Sequence, residues 1–205
     1  TKLLLEKGES LPIMEAFYTI QGEGFHKGSA LYFIRTGGCD VGCHWCDVKE
    51  SWDENSHPII SVEEIVKKSA GFSDSVVVTG GEPLMWNMNP LTKALKKIGK
   101  KTHIETSGAY PLTGYWDWIC LSPKKAKLPI EDAYNHAHEL KIIIYNNHDF
   151  KFAEQEAKKV NKNAILYLQP EWSKREEMMP LMVDFIKKNP KWKISLQTHK
   201  YLKVP

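Results

Sequence analysis

The chain has 205 residues, of which 42% are hydrophobic and 26% charged, and its formal net charge of +3 is too small to argue for nucleic acid as a partner. It contains neither an apolar run of about 18 residues nor a signal peptide, so we expect no membrane or secreted location. Its four cysteines, three of them clustered, do not form a disulfide framework, which favours a reducing, cytoplasmic location.

The first predicted strand, residues 13–20, ends in a Gln-Gly-Glu-Gly turn at 21–24. Glycines in such a turn allow the backbone to approach a ligand closely, although the turn alone also fits an ordinary hairpin. The next strand, residues 31–34, is apolar and ends at Arg35. A guanidinium there suits a ligand carboxylate, but it equally suits an exposed strand end.

Three cysteines follow at Cys-x3-Cys-x2-Cys spacing, within a loop that we place at residues 39–48: Cys39, Cys43 and Cys46. Thiolates bind zinc and iron–sulfur clusters. A structural zinc requires four ligands, and His44 and Asp47 are each adjacent to a cysteine, which makes joint ligation sterically awkward. Three cysteines on a cubane cluster leave one iron open to a substrate or cofactor. The spacing therefore favours an iron–sulfur cluster over zinc or over inert buried cysteines.

Beyond the cysteine loop, a Ser61 cap predicts a helix to about residue 70. A fully apolar strand at 75–79 then ends in Gly-Gly-Glu-Pro at 80–83, which places backbone groups where α/β proteins bind ligands. Cys120 lies in an apolar strand and fits a core residue better than a ligand. Later strands are predicted at 102–106, 117–121, 140–145, 164–168 and 193–196. Later helices are predicted from an Asn89 cap, over 150–160, and from a Ser173 cap to Lys188, with Pro180 as a kink or the true start.

Strands that alternate with helices predict parallel pairing with right-handed crossovers. Polar or glycine-rich residues follow these strands repeatedly, at Arg35, Thr79, Glu105, Ser122, Gln169 and His199. A complete eight-stranded barrel takes about 250 residues. We therefore predict an α/β fold, an incomplete TIM-like barrel with mostly parallel strands, as a single domain over residues 1–205.

The loop at 39–48 resembles the cluster-binding loop of the radical S-adenosylmethionine (SAM) enzymes, in which an aromatic residue, here Trp45, precedes the last cysteine. The element at 80–83 is similar to the one that holds the SAM amino group in that superfamily. The resemblance implies a partial barrel of the radical SAM type and a [4Fe-4S] cluster whose open iron chelates SAM. It also implies reductive cleavage of SAM to a 5′-deoxyadenosyl radical, which abstracts a hydrogen from the substrate.

Almost the whole chain resembles, in order, the 7-carboxy-7-deazaguanine synthases of queuosine biosynthesis, a tRNA modification pathway. The segments that carry this resemblance are 17–24, Arg35, 44–47, 79–83, 122–124 and the tail Gln197-x-His199-Lys200. It implies a ring-contracting lyase that converts 6-carboxy-5,6,7,8-tetrahydropterin to 7-carboxy-7-deazaguanine with loss of ammonia. It further implies that SAM is regenerated, that Mg²⁺ assists, that the enzyme is a homodimer, and that its partner is a reductant protein such as flavodoxin or ferredoxin.

The resemblance also assigns site residues position by position, with no catalytic residue beyond the cluster and SAM. The cluster ligands are Cys39, Cys43 and Cys46. The SAM contacts are Trp45, Cys46, Asp47, Gly81, Ser122, Pro123 and Lys124. The pterin contacts are Ile20, Gln21, Gly22, Arg35, Thr79 and the terminal carboxylate of Pro205.

Val48 departs from the family pattern, because many members carry at this position a threonine whose hydroxyl binds Mg²⁺. Valine offers no oxygen to a hard cation. Either the substrate, water and residues such as Asp47 hold the ion, or metal dependence is weak. Two other functions remain open: a radical SAM activating enzyme for a glycyl-radical partner, and a non-enzymatic iron–sulfur or zinc-binding module.

Overall fold

The computed structural model describes residues 2–205 and builds them around one nine-stranded sheet with the order β3-β1-β2-β4-β5-β6-β7-β8-β9. The strands are β1 Ser10–Ile20, β2 Ala30–Thr36, β3 Ile59–Ser61, β4 Ser75–Gly80, β5 Lys101–Thr106, β6 Trp118–Leu121, β7 Glu139–Ile144, β8 Ile165–Pro170 and β9 Trp192–Ile194. Each neighbouring pair from β2 to β9 is parallel. Strand β1 runs antiparallel to β2 and to β3.

The two edge strands, β3 and β9, do not pair with each other, so the barrel is open. This confirms the predicted class, an incomplete barrel with mostly parallel strands. Parallel strands need crossover segments, and helices supply several of them. The helices are α1 Lys2–Lys7, α2 Val62–Ser69, α3 Asn89–Lys97, α4 Glu131–His136, α5 His148–Ala157, α6 Arg175–Lys188 and α7 Thr198–Leu202. Within residues 2–205 none of them has the length and apolar character that crossing a membrane would require.

The helix caps follow the sequence only in part. The Ser61 hydroxyl accepts a hydrogen bond from the Glu64 amide at 3.2 Å, as predicted for α2. The predicted Asn89 cap is wrong, because Met88 holds that position and Asn89 already lies within α3. The predicted Ser173 cap is also wrong. A short 3₁₀ helix, Trp172–Lys174, precedes α6 and is capped by the Glu171 carboxylate instead. Pro180 lies inside α6 and does not mark its start.

The two faces of the sheet differ in chemistry because side chains alternate along a strand. The outer face packs apolar side chains against the helices in two large clusters, one around β1, β2 and β4 and one around β6 to β9. The inner face is apolar near β2 and β4, where Phe33 and Val77 pack with Phe17. From β5 to β8 the inner positions include buried polar residues, namely His103, Glu139, Lys141 and Gln169, with Glu105 half-buried. The barrel interior therefore holds the chemistry, and the outer face holds the hydrophobic core.

Candidate functional site

A cavity of about 260 Å³ lies at the carboxyl ends of the parallel strands. It collects nearly all the residues that the sequence assigned to a site, although these are spread from residue 20 to residue 205. The predicted residues that line it are Ile20, Gln21, Gly22, Arg35, Cys39, Cys43, Trp45, Cys46, Asp47, Thr79, Gly81, Ser122, Lys124 and Pro205. Pro123 is buried between Ser122 and Lys124 and does not reach the lining. The site thus assembles one loop, several strand ends and the C-terminal segment.

The three clustered cysteines are half-buried free thiols, whereas Cys120 is fully buried in β6 as predicted. Burial raises the pKa of Cys39 and Cys43, and neighbouring thiols raise it further. Three thiolates here would repel one another unless a cationic group binds them, so the donor set fits a [4Fe-4S] cluster. No three His, Cys, Asp or Glu side chains among residues 2–205 converge on a single-ion site. The fit therefore rests on donor chemistry and on the shared cavity.

Backbone hydrogen bonds join the Gly-Gly-Glu-Pro turn to the end of β2 and to the segment that leads into the cysteine loop. The Gly81 amide donates to the Thr36 carbonyl at 3.0 Å, and the Glu82 amide donates to the Gly38 carbonyl at 2.8 Å. A Cβ on Gly81 would lie 2.2 Å from the Gly38 carbonyl oxygen and 2.9 Å from the Cys39 Cβ. Only glycine permits this approach.

The buried carboxylate of Glu82 holds the same turn in place. Its side chain is 1% exposed, and its carboxylate accepts from the Thr106 hydroxyl at 2.5 Å. It also accepts from the Ser107 amide at 2.8 Å and the Leu84 amide at 3.0 Å. A buried carboxylate is stable when its oxygens are satisfied in this way. Glu82 therefore joins the end of β4 to the end of β5 and fixes the cavity wall.

Lys124 stands over the cysteine loop on the opposite wall. Its ammonium donates to the Ser122 carbonyl at 2.5 Å and to the Ser122 hydroxyl at 2.7 Å, and it lies 5.7 Å from the Trp45 ring centroid. Burial lowers its pKa, while the nearby Cys43 opposes that effect. This cation faces the cysteines and offers donors to an anionic ligand group.

Arg35 precedes the last residue of β2 and lines the cavity, and its Nε donates to the Glu15 carboxylate at 2.7 Å on the paired strand. Its guanidinium also lies 5.9 Å from the Phe17 ring centroid. This contact uses Nε, and within residues 2–205 no protein acceptor holds the two terminal nitrogens of the fork. Arg35 is therefore oriented by its neighbours and still able to bind a carboxylate in the cavity.

Sequence reasoning missed a buried charged network on the inner face. Lys141 of β7 donates to the Glu23 carboxylate and lies 3.5 Å from the Glu105 carboxylate. Gln21 Nε2 donates to Glu105 at 2.9 Å, while Gln21 Oε1 accepts from the Glu23 amide at 3.1 Å. Burial raises the pKa of Glu23, but the charge and hydrogen bond of Lys141, together with hydrogen bonds from Gln197 and Gln169, lower that pKa to about 2. The available signal was Lys141, a charged residue inside a strand whose other residues from Leu140 to Ile144 are apolar.

The C-terminal segment closes the open side of the barrel. The Thr198 amide donates to the Gly22 carbonyl at 3.0 Å, and a Cβ on Gly22 would lie 2.0 Å from His199 Nδ1. Lys200 donates to the Asp47 carboxylate at 3.1 Å. The segment therefore ties the turn at 21–24 to the cysteine loop, as no local sequence pattern could indicate.

Val48 lines the cavity directly after Asp47. Its carbonyl accepts from the Ser51 amide at 3.1 Å and from the Ser51 hydroxyl at 2.7 Å, which begins a short 3₁₀ helix. The oxygen next to a cation at this position would have to come from Asp47 or from bound ligands, since the Val48 side chain carries none.

Comparison with known proteins gives consistent matches. The family model of the radical SAM superfamily matches residues 33–128. The 7-carboxy-7-deazaguanine synthase of Flavobacterium psychrophilum is 64% identical over 204 residues, covering 100% of this chain and 97% of that protein. The synthase of that name from Synechocystis is 51% identical, covering 95% and 94%. The crystal structure of QueE from Escherichia coli superposes with a TM-score of 0.83 at 28% identity, covering 95% and 97%.

Proposed function

This chain belongs to the 7-carboxy-7-deazaguanine synthase family of the radical SAM superfamily, and we propose that its cavity converts 6-carboxy-5,6,7,8-tetrahydropterin to 7-carboxy-7-deazaguanine and ammonia. It is a radical SAM lyase of the queuosine pathway. One observation carries the assignment of the site: the residues matched to cluster, SAM and pterin roles line one cavity, apart from Pro123.

Membership in the superfamily implies a [4Fe-4S] cluster and SAM. When bound, these supply the radical that abstracts a hydrogen from the substrate. In our proposal Cys39, Cys43 and Cys46 hold the cluster. The rigid turn at Gly81 and the Lys124 ammonium on the facing wall orient SAM beside it, with Trp45, Asp47 and Ser122 as further contacts. Pro123 contributes by fixing the backbone between Ser122 and Lys124.

The rest of the cavity fits a flat, polar, anionic ring. Arg35 offers its two terminal nitrogens to the substrate carboxylate. Glu105, two strands away, offers a carboxylate to N–H donors of the pterin, and the stacked Phe17 and Phe33 rings provide an apolar wall. Ile20, Gln21, Gly22, Thr79 and Pro205 complete the pterin contacts. The C-terminal segment that covers this side limits access of water, as radical chemistry requires.

We further propose that residues 1–205 form a single radical SAM domain and that the enzyme is a cytoplasmic homodimer reduced by a small protein such as flavodoxin or ferredoxin. Four free cysteines suit a reducing compartment. Mg²⁺ is proposed to bind through substrate, water and Asp47, because Val48 lacks the oxygen of the family threonine. Light scattering of the holoprotein tests the dimer, and its magnesium content tests the bound ion.

The test of the function is anaerobic reconstitution followed by incubation with SAM, a reductant and the carboxypterin, with products identified by mass spectrometry. We expect 7-carboxy-7-deazaguanine and equimolar ammonia from the wild type and neither from Cys43→Ala. Acid-labile sulfide analysis separates a cluster from zinc. A protein that holds its cluster and cleaves SAM, yet leaves the carboxypterin unchanged, would refute the proposed substrate and favour an activating enzyme.

A further inference from the structure

Lys141 is a buried ammonium on the inner face of β7, and no role that family membership implies makes use of it. Its side chain is 4% exposed. An isolated ammonium is strongly destabilised by burial unless opposite charges compensate it. Here two carboxylates compensate it, Glu23 from the turn after β1 and Glu105 from the end of β5. Because both come from segments that line the cavity, the lysine joins two parts of its wall.

The geometry of the turn at 21–24 depends on this lysine. Gln21 bridges the two acids, since it donates to Glu105 at 2.9 Å and accepts from the Glu23 amide at 3.1 Å. Without Lys141, the two acids would face each other as like charges in a poorly solvated interior. Lys141 also ties Glu23 to β7. Without this lysine the turn at 21–24 would lose its anchor on the sheet even if Glu23 were neutral, and Gln21 would no longer be held between the two acids.

The same network continues to the cysteine loop. Gln197 Nε2 donates to Glu23 at 2.9 Å and lies 3.4 Å from the Asp47 carboxylate. Lys200 holds Asp47 at 3.1 Å. A displacement of Glu23 would therefore first alter the turn at 21–24, which we assign to the pterin. Its effect would reach the cysteine loop only through the C-terminal segment.

We propose that Lys141 is a positioning residue for the pterin, which acts by holding Glu23 and Glu105 so that the turn at 21–24 meets the substrate in one fixed geometry. This inference rests on the proposed function of the cavity and adds a residue to it. It predicts a defect in pterin binding that leaves the cluster and substrate-free cleavage of SAM intact.

The test compares three reconstituted holoenzymes with the wild type. Lys141→Met removes the charge and keeps the length. The single variant leaves the Glu23 charge uncompensated and can therefore lose its fold. For this reason the second variant combines Lys141→Met with Glu23→Gln, so that both partners are neutral. The matched control is Lys96→Met, which breaks an outer ion pair with Asp117 at 2.7 Å. For each protein we measure the thermal midpoint, the Kd for the carboxypterin by titration, and the rate of 5′-deoxyadenosine release without substrate.

We expect the double variant to bind the carboxypterin at least tenfold more weakly, with substrate-free SAM cleavage within twofold of the wild type and Lys96→Met unaltered. A Kd within twofold of the wild type in the folded double variant would overturn the proposal. So would a parallel loss of SAM cleavage, which indicates a general structural role. Failure of the proposed function is distinguishable, because it would appear as a wild type that neither binds nor converts the carboxypterin.

Discussion

The two ends of the barrel interior bury polar side chains in different ways, as ion pairs at one end and as stacked rings at the other. At the cavity end, Lys141 is paired with Glu23 and Glu105. At the amino ends of the strands, aromatic and imidazole rings stack in a group that we call the amino-end stack, formed by Phe25, His26, His103, Trp118 and His138. The ring centroids of His26 and His103 lie 4.3 Å apart. The ring centroid of Trp118 lies 4.7 Å from that of His26 and 5.0 Å from that of His138.

The two regions therefore place opposite demands on protonation. Burial lowers the pKa of His103 to about 4, and the neighbouring His26 contributes to this shift. Burial also lowers the pKa of His26 and of His138. The amino-end stack is stable when its imidazoles are neutral, whereas the cavity end is stable when its groups are charged. We infer that the cavity end determines activity and that the two ends lose stability at different pH values.

The largest expected effect concerns the half-buried cysteines of the loop, compared with the fully buried Cys120. Cys43→Ala should abolish cluster assembly and turnover, because it removes one of the three protein ligands of the cubane and leaves only two. Cys120→Ala should leave both intact, since Cys120 lies buried in β6, away from the loop. Iron and sulfide content per chain after reconstitution gives the result. A cluster-free Cys120→Ala protein that is still folded would contradict the ligand assignment.

Acidification should unfold the amino-end stack before it affects the cavity end. The pKa of His103 is 6.5 in the unfolded chain and about 4 in the fold, so the unfolded state binds more protons between these values. Stability is complete above about pH 6.5 and falls by about 3 kcal/mol as the pH approaches 4. The corresponding loss at Glu23 occurs lower, between pH 4.5 and about 2.

The check is the free energy of unfolding, measured by denaturant titration from pH 7.5 to pH 4. His103→Phe keeps an aromatic ring in the stack and should flatten this pH dependence, whereas His148→Gln, at an exposed position, should not. An unchanged slope in His103→Phe would show that the titration arises elsewhere.

Arg35→Lys addresses the cavity end alone. A lysine ammonium cannot reproduce a bidentate fork, and the loss of one charge-assisted hydrogen bond costs roughly 1.5–3 kcal/mol. We expect weaker carboxypterin binding by about one to two orders of magnitude, with cluster content, SAM binding and thermal midpoint near those of the wild type. Equilibrium titration of the holoenzyme decides this, and an unchanged Kd would remove Arg35 from the site.

Val48→Thr should give the smallest effect. If a threonine hydroxyl at this position holds Mg²⁺, this chain should respond less to Mg²⁺ than threonine-bearing relatives, and the substitution should increase the response. The change in volume is small, although a hydroxyl buried without a partner costs about 1–3 kcal/mol. Initial rates against Mg²⁺ after chelation provide the measurement. Equally strong activation in both proteins would place the ion away from position 48.

The sequence predicts the cysteine loop and the Gly-Gly-Glu-Pro turn because both are local motifs with fixed spacing. It also predicts the open barrel, since strand and helix patterns alternate and 205 residues are fewer than the roughly 250 of a complete barrel. It does not predict the pairing of Lys141 with Glu23, which are 118 positions apart, because only the closed fold brings them together. The amino-end stack is missed for the same reason. The caps at Asn89 and Ser173 are wrong because side chains two residues upstream, Asn87 and Glu171, accept hydrogen bonds from the Asn89 and Ser173 amides.

The most direct test of a cavity that holds SAM and pterin together is product yield under limiting SAM. If the family chemistry operates here, SAM is regenerated in each cycle. The holoenzyme with a small amount of SAM, excess reductant and excess carboxypterin should then form many equivalents of 7-carboxy-7-deazaguanine per SAM, without matching accumulation of 5′-deoxyadenosine. Product that never exceeds the SAM supplied, or the absence of product from a protein with a complete cluster, would contradict the account.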